Sequence, residues 1–271
     1  MTSNEQRARS LAEQFRVAHA LGDGPIKDMF ELVHVAAGID VLSMDADEAE
    51  HGLSMTDPAT GKVVIAVATT RHPMRQRSSI AHELGHVLAG DLARSQPVRP
   101  GERTPEEIRA DAFARHLLLP LDSVRRRVGN PAGGASLEHL SELVQEFEVS
   151  PQIAAIQMRG TGIIDAATCT EWGGVPTVRL ASSYGWLSQY RSLVEDSLRP
   201  RAPQALMSRA VAGYRQGVLG VQELATWYGQ EPGALADDLG ATEPAPPGAE
   251  VDEEFWGADA PLFPDASTGR R

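Results

Sequence analysis

The stretch Ser79-Ile80-Ala81-His82-Glu83-Leu84-Gly85-His86-Val87 decides how this chain can fold, because it places polar ligand groups and apolar residues in one helical pattern. His82 and His86 are four residues apart, so on a helix they lie one turn apart and about 40° apart around the axis. Glu83 borders the same face, whereas Leu84 points to the opposite side. The stretch predicts an amphipathic helix on which two imidazoles can bind one cation beside a carboxylate.

The pattern His-Glu-x-x-His is typical of a zinc-binding helix. A catalytic zinc takes three protein ligands and leaves the fourth position for water. Cys169 is the only cysteine of the chain, so the third ligand must come from His, Asp or Glu. We therefore expect one zinc ion per chain, bound by His82, His86 and a third residue.

The third ligand is expected on a second helix that begins after Thr104. Glu107 and Asp111 are four residues apart and share a face of that helix. Glu107 would bind the metal, and Asp111 would hold a ligating histidine through its other ring nitrogen. Thr104-x-x-Glu107 is also the pattern of a helix-capping box, and Glu106 and Asp91 are alternative ligands.

These residue types point to metal-assisted hydrolysis of an amide bond. Zinc acidifies a water molecule and polarises a carbonyl oxygen. Glu83 would take the proton of the water and pass it to the leaving amine. The donor that stabilises the oxyanion stays open between His72, an arginine of residues 71–77 and a tyrosine of the C-terminal half.

Further out, the hydrophobic period changes along the chain. Residues 5–37 have helical spacing, and short strands are predicted at Ile39–Ser43, Gly52–Met55 and Val63–Ala68. Helices over residues 73–89 and 105–119 follow. The pattern indicates an α+β fold with a small, mainly antiparallel sheet packed on the metal-binding helix and helical bundles after it.

Composition and charge exclude several classes of protein. Among the 271 residues, no apolar run approaches the length of a membrane span, and the polar N-terminus lacks the apolar core of a signal peptide. A cytoplasmic protein without membrane contact is therefore expected. The net charge of −12 argues against direct binding to DNA.

At these residues the chain resembles the ImmA/IrrE family of zinc metallopeptidases. One part of the resemblance is Gly52, the strand at Val63–Ile65 and the stretch from Arg77 to His86, although Ser78 stands where the family often has Phe. Another is residues 107–120, EIRADAFARHLLLP, which is similar to the family pattern Glu-x-x-Ala-Asp/Asn-x-Phe-Ala followed by Leu-Leu-Met-Pro. A helical pair at 136–164 is the third, and together they cover roughly residues 8–164.

The resemblance implies that His82, His86 and Glu107 bind zinc and that Glu83 is the general base. It implies a protein substrate, a helix-turn-helix repressor whose cleavage relieves repression in a mobile element or a DNA-damage response. The expected divisions of the chain are a zincin-like metallopeptidase domain at 1–134, a helix-turn-helix-like pair at 135–164, a mainly helical region at 165–240 and a disordered acidic tail at 241–271.

A substrate strand can add to the edge of a sheet beside the metal helix. The expected edge strand consists of Val63, Val64, Ile65, Ala66 and Val67. Two other functions compete with the peptidase. One is a peptidase fold that binds a regulator without cutting it, and the other is a DNA-binding regulator that uses residues 136–164 with a structural zinc. The presence of Glu83 favours the enzyme, because a binding module has no need of a general base.

Overall fold

The computed structural model of the chain describes residues 3–46, 52–56, 61–92, 104–129, 131 and 133–240. Over these residues the fold is α+β, as predicted, with three strands and thirteen helices. The predicted acidic tail at 241–271 lies outside the described residues. The elements in chain order are α1 (Ser3–Ala18), α2 (Met29–Ala37), β1 (Asp40–Met44), β2 (Gly52–Thr56), β3 (Val63–Ala68), α3 (Pro73–Ala89), α4 (Pro105–Leu118), α5 (Leu121–Val128), α6 (Leu137–Phe147), α7 (Pro151–Gly160), α8 (Ala166–Gly173), α9 (Thr177–Ser183), α10 (Leu187–Ser197), α11 (Gln204–Arg215), α12 (Val221–Tyr228) and α13 (Pro232–Leu239).

The three strands form one sheet in the order β1-β3-β2. β1 pairs with β3 in parallel and β2 pairs with β3 antiparallel, so the sheet is mixed rather than mainly antiparallel. The prediction that Val63–Val67 form the edge strand was wrong, because β3 has a partner on each side. β2 is the edge strand that lies against α3.

The two faces of the sheet differ in burial. Ile65 and Val67 of β3 are 0% and 2% exposed and belong to the main core, which also contains Ile80 of α3. On the other face, Leu53 and Met55 of β2 are 55% and 48% exposed. The sheet therefore packs on one side only, and that side faces the predicted metal helix.

Helix α3 has clear start and stop signals. Pro73 occupies the first turn, where its missing N–H costs nothing, and Gly90 ends the helix in the left-handed conformation with φ +73°. Ile80, Ala81 and Leu84 are fully buried. The apolar side of the helix is thus fixed in the core, and this leaves the histidine side facing α4 and β2.

Helices α3 and α4 approach each other closely at Gly85. A Cβ atom at this position would lie 2.9 Å from Cδ1 of Phe113, a distance that packed carbon atoms do not reach. The absence of a side chain at Gly85 lets the Phe113 ring lie directly on α3. This contact brings the first turn of α4 within reach of the two histidines.

Helices α6 to α10 extend the same core instead of building a separate one. Ala154, Ala155 and Met158 of α7 are fully buried, and α7 lies between α5 and α8. Gln157 donates a hydrogen bond to the carbonyl oxygen of Leu119 at 2.6 Å. A three-residue turn connects α6 to α7, but most of α7 is covered by its own protein.

Helices α11 to α13 have a small core of their own, formed by five buried residues (Met207, Ala210, Leu224, Ala225 and Leu235). Paired backbone hydrogen bonds of 2.9 and 3.0 Å between Ser43 and Arg201 attach this unit to the end of β1. Among the described residues, no helix combines the length and the apolar character needed to cross a membrane.

Candidate metal centre

Three side chains converge between α3 and α4. Nε2 of His82 lies 3.0 Å from Nε2 of His86 and 3.1 Å from Oε2 of Glu107. Nε2 of His86 lies 3.3 Å from Oε1 of Glu107. The sequence predicted these three residues as the ligand set, and the fold brings them together.

The Nδ1 atom of each histidine faces a carboxylate, and this determines which ring nitrogen carries the proton. Nδ1 of His82 is 3.0 Å from Oδ1 of Asp111, and Nδ1 of His86 is 3.3 Å from Oδ2 of Asp91. A carboxylate accepts hydrogen bonds, so each neutral imidazole carries its proton on Nδ1 and presents a lone pair on Nε2. Two lone pairs and a carboxylate then face one another, and they repel unless a cation lies between them.

The distances fit zinc. Ligand atoms bound tetrahedrally at about 2.0–2.2 Å lie roughly 3.3–3.6 Å from one another. The two imidazole nitrogens are 3.0 Å apart, and each lies close to that value from one oxygen of Glu107, at 3.1 Å from Oε2 and 3.3 Å from Oε1. Two imidazoles with one carboxylate are also a ligand set of catalytic zinc sites, since they leave a fourth position open.

Asp91, which the sequence analysis considered as an alternative metal ligand, lies outside the ligand group. It follows the helix end at Gly90, is 6% exposed, and contacts the Nδ1 side of His86 rather than the ligand group. Nη2 of Arg109 lies 2.6 and 2.7 Å from the two Asp91 oxygens. Sequence reasoning missed this pair, although an aspartate directly after the helix stop was the available signal. Each ligating histidine therefore has its own carboxylate.

At the start of α4, Thr104 caps the helix and Glu107 is still available as a metal ligand. Oγ1 of Thr104 accepts a hydrogen bond from the Glu107 backbone N–H at 3.3 Å, so the N-cap is present. The Glu107 carboxylate nevertheless turns to the histidines. Glu106 is exposed and lies outside the group that could hold a metal ion.

The surrounding acids make this a favourable place for positive charge. Burial alone would lower the pKa of His82, but hydrogen bonds to Asp111 and Glu107 and the charge of Glu83 outweigh it and raise the pKa to about 10. The hydrogen bond from His82 holds the pKa of Glu107 below its usual range. A cation is thus stabilised here, whether it is a proton or a metal ion.

Glu83 lies beside the ligand group but outside it. Glu83 is 9% exposed, and its Oε2 accepts a hydrogen bond from Oγ of Ser54 on β2 at 2.8 Å. A Cβ atom at Gly52 would come within 3.1 Å of Cγ and Oε1 of Glu83. The edge strand therefore holds one oxygen of this carboxylate, and the small residue at 52 leaves room for it.

The structure narrows the candidates for an oxyanion donor. Nη2 of Arg77 donates to the carbonyl oxygen of Ile26 at 2.5 Å and Nη1 to that of Lys27 at 3.0 Å, on the side of α3 away from the metal site. His72 is the N-cap of α3, ten residues before His82 and so about 15 Å away along the axis. Neither is positioned as a donor at the ligand group.

The part of the chain that contains the three candidate metal ligands matches a known protein family. Residues 36–159 match the family model of peptidase family M78, described as an IrrE N-terminal-like domain. A search of curated proteins found no match to the chain. The matched stretch runs from the end of α2 into α7 and includes all of α3 and α4. Residues 36–159 are therefore similar to the IrrE N-terminal-like domain of a metallopeptidase family, which confirms the resemblance to the ImmA/IrrE family.

Proposed function

We propose that this domain is a zinc-dependent endopeptidase in which His82, His86 and Glu107 bind one zinc ion and Glu83 is the general base. The observation that carries the proposal is the convergence of two imidazole nitrogens and a carboxylate within 3.3 Å of one another. A further carboxylate, that of Glu83, stands next to them without joining the group. Such a residue is needed for proton transfer and not for holding a metal.

Zinc bound by this set would supply Lewis-acid chemistry, because it acidifies water and polarises a carbonyl oxygen. Glu83 accepts the proton of the attacking water as the water oxygen bonds to the carbonyl carbon of the substrate. The same carboxyl then donates that proton to the leaving nitrogen as the C–N bond breaks. One peptide bond and one water are consumed, and Glu83 returns to its carboxylate form.

Ser54 and Gly52 position the base. Ser54 donates to Oε2, so the proposed acceptor of the water proton is the other oxygen of Glu83, Oε1. The buried carboxylate also keeps a hydrogen bond that limits the cost of its desolvation. The edge strand β2 thus orients the base.

The substrate backbone is proposed to pair with β2. Among the described strands, β2 pairs with β3 on one side and has no partner on the other. An extended peptide added there would run next to Glu83, and its backbone would form the ladder hydrogen bonds of a further strand. Peptides N-methylated at alternate positions test this. Cleavage should be lost for one set of positions and kept for the other, and equal cleavage of both sets would contradict the pairing.

The proposed substrate is a helix-turn-helix repressor, and its cleavage would relieve repression in a mobile-element or DNA-damage response. The support is the family resemblance together with the matched peptidase domain. The alternative of a DNA-binding regulator would need an exposed helix in the pair at 136–164. The burial of α7 argues against it, since Ala154, Ala155 and Met158 are fully buried. A cytoplasmic location would fit such a substrate.

The second candidate is a binding module that grips a regulator without cutting it. The assay that separates the two uses zinc-loaded protein, purified candidate repressors and mass spectrometry of the products. Wild type should cleave, and Glu83→Gln should retain one zinc and lose cleavage. Glu138→Gln, an exposed change on α6, is the matched control and should cleave as wild type does. Repressor binding without any fragment from the zinc-loaded wild type would favour the binding module.

A further inference from the structure

The face of the sheet that points away from α3 is apolar at the edge strand β2. Side chains alternate between the two faces of a strand. Ser54 is paired with the buried Ile65 of β3 and donates to Glu83, so it faces α3. Leu53 and Met55, on either side of it, point outward and are about half exposed. β2 thus presents two apolar side chains, two residues apart, on the side of the sheet opposite the metal helix.

The sequence of β2 lacks the features that usually close a sheet edge to pairing. Proteins protect exposed edges with charged side chains, with proline or with a covering segment. The five residues of β2, GLSMT, contain neither a charge nor a proline. At the opposite edge of the sheet, β1 is covered at Ser43, whose backbone is paired with that of Arg201. Among the described strands, β2 therefore has the features of an edge that is open to a further strand.

A peptide added to β2 would place alternate side chains beside Leu53 and Met55. The added strand would lie about 4.8 Å from β2, and side chains directly opposite each other on one face have Cβ atoms about 4.5–5.5 Å apart. The outward-facing residues of the peptide are two apart, as Leu53 and Met55 are. The residue between them faces the metal helix. One bound strand therefore meets the metal centre with one face and the apolar pair with the other.

From this arrangement we infer that Leu53 and Met55 determine the specificity of the proposed peptidase, whose substrate carries two apolar side chains, two residues apart, that pack against them. Such cross-strand contacts remove apolar surface from water and stabilise the pairing of the strands. The inference rests on the proposed function, including the pairing of the substrate with β2. It adds the class of side chain that the substrate presents on the outward face.

The test begins with a proteome-derived peptide library that is cleaved by the zinc-loaded wild type. The expected profile has apolar residues enriched at two positions, two residues apart, near the cleaved bond. Two peptides that differ by Leu or Gln at both positions then give the ratio of their kcat/KM values. This ratio should be about tenfold in wild type, since each cross-strand pair contributes about threefold.

Lysine at either residue of β2 should change the preference at one position only. In Leu53→Lys the library should show Asp or Glu in place of apolar residues at one of the two positions, because opposite charges form favourable cross-strand pairs. In Met55→Lys the same change should occur at the other position. A merely structural role of these residues would weaken the cleavage of all peptides and leave the profile as it is.

The matched control is Met44→Lys. Met44 ends β1 on the outward face of the sheet and is about as exposed as Met55. In the order β1-β3-β2, however, β1 is the third strand from a peptide added to β2, about 14 Å away. The cleavage profile of this variant should equal that of the wild type.

The outcomes that would overturn the inference are distinguishable. Cleavage without an apolar preference at positions two apart, or a profile that Leu53→Lys and Met55→Lys leave unchanged, refutes the role of these residues and leaves the peptidase standing. A profile that changes in Met44→Lys as well would mean that a partner covers the whole face, which also refutes the inference. The absence of cleavage of any peptide or candidate repressor refutes the peptidase and the inference together.

Discussion

Replacing Gly85 by Ala tests whether the close approach of α3 and α4 builds the metal centre. Gly85 lies between the two histidines in the chain, and the Phe113 ring occupies the space that a side chain at this position would need. Glu107 reaches the histidines from the first turn of the same helix that carries Phe113. A methyl group at 85 should therefore separate the ligands without changing any of them.

The size of the effect follows from the contact. The new Cβ would lie 2.9 Å from Cδ1 and 3.3 Å from Cγ of Phe113, whereas packed carbons lie about 3.5–4.0 Å apart. The ring or α4 must therefore move by about 0.6 Å or more, beyond the roughly 0.2 Å that zinc–ligand distances tolerate. Overpacking costs about 1–3 kcal/mol, and the helix gain of Ala over Gly offsets about 0.5–1 kcal/mol of it. A net loss of about 1–2 kcal/mol in the free energy of unfolding is expected.

Zinc affinity should fall as well. The metal-free protein can relieve the contact by moving α4, and the zinc-bound protein cannot. If about 1.4 kcal/mol of the clash falls on the bound state, the Kd for zinc rises about tenfold. Urea denaturation with and without zinc measures the first effect, and competition with a chromophoric chelator measures the second.

The matched control is Gly213→Ala in α11. Its Cβ would meet only Leu219 atoms at 3.5 and 3.6 Å, which is ordinary contact. This variant should bind zinc as wild type does and should be as stable or slightly more stable. A Gly85→Ala protein with wild-type zinc affinity and stability would refute the reasoning.

Three further predictions concern single polar contacts. A hydrogen bond from His116 outweighs the effect of burial and, together with the charge of Arg115, lowers the pKa of Glu5 to about 2. The Glu5 carboxylate therefore stabilises the fold above pH 4.5, and this stabilisation is lost as the pH falls from 4.5 towards 2. After discounting for solvent screening, Glu5→Gln should cost about 1–2 kcal/mol at pH 7 and little at pH 2 in urea titrations, and a difference independent of pH would contradict the assignment. Asp91→Ala should raise the Kd for zinc about 10–100-fold, because His86 loses its orienting carboxylate, while Glu106→Gln should leave it unchanged in the chelator assay. Ser54→Ala should lower kcat about tenfold with KM and zinc content retained, since Glu83 loses its hydrogen bond, and Thr56→Ala at the exposed end of β2 should have no effect on kcat.

The metal helix could be predicted closely from the sequence. Its limits, Pro73 and Ala89, agree with the expected range because Pro73 and Gly90 are local signals. The helical phase alone also put Glu107 and Asp111 on one face of α4, where the structure has them beside His82. Such features depend on neighbours in the chain and so can be read without knowledge of the fold.

The order of the strands could not be predicted in this way. Pairing of β1 with β3 across the intervening β2 is a long-range arrangement, and the apolar residues Val63–Val67 suit either position in a sheet. Asp91 was placed among rival ligands for a related reason. Its distance from His86 in the chain does not say which ring nitrogen it contacts, and that depends on how Arg109 of α4 holds it.

The sequence predicted a mainly helical region at 165–240, but it did not give the individual helices between residues 165 and 200, the first of which are short. α8 and α9 have eight and seven residues, too few to show a clear apolar period. Trp172 and Trp186 are nevertheless buried in the main core, and Nε1 of Trp186 donates to Oγ of Ser141 at 2.9 Å. The tertiary contacts, and not the local pattern, define these helices.

The central claim is that His82, His86 and Glu107 form one catalytic zinc site. Its most direct test is the zinc content of the purified, zinc-reconstituted protein, with wild type measured beside Glu107→Ala. The account predicts one zinc per chain in wild type and loss of that zinc in the variant. A variant that keeps its zinc with wild-type affinity, or a wild-type chain that takes up none, would contradict it.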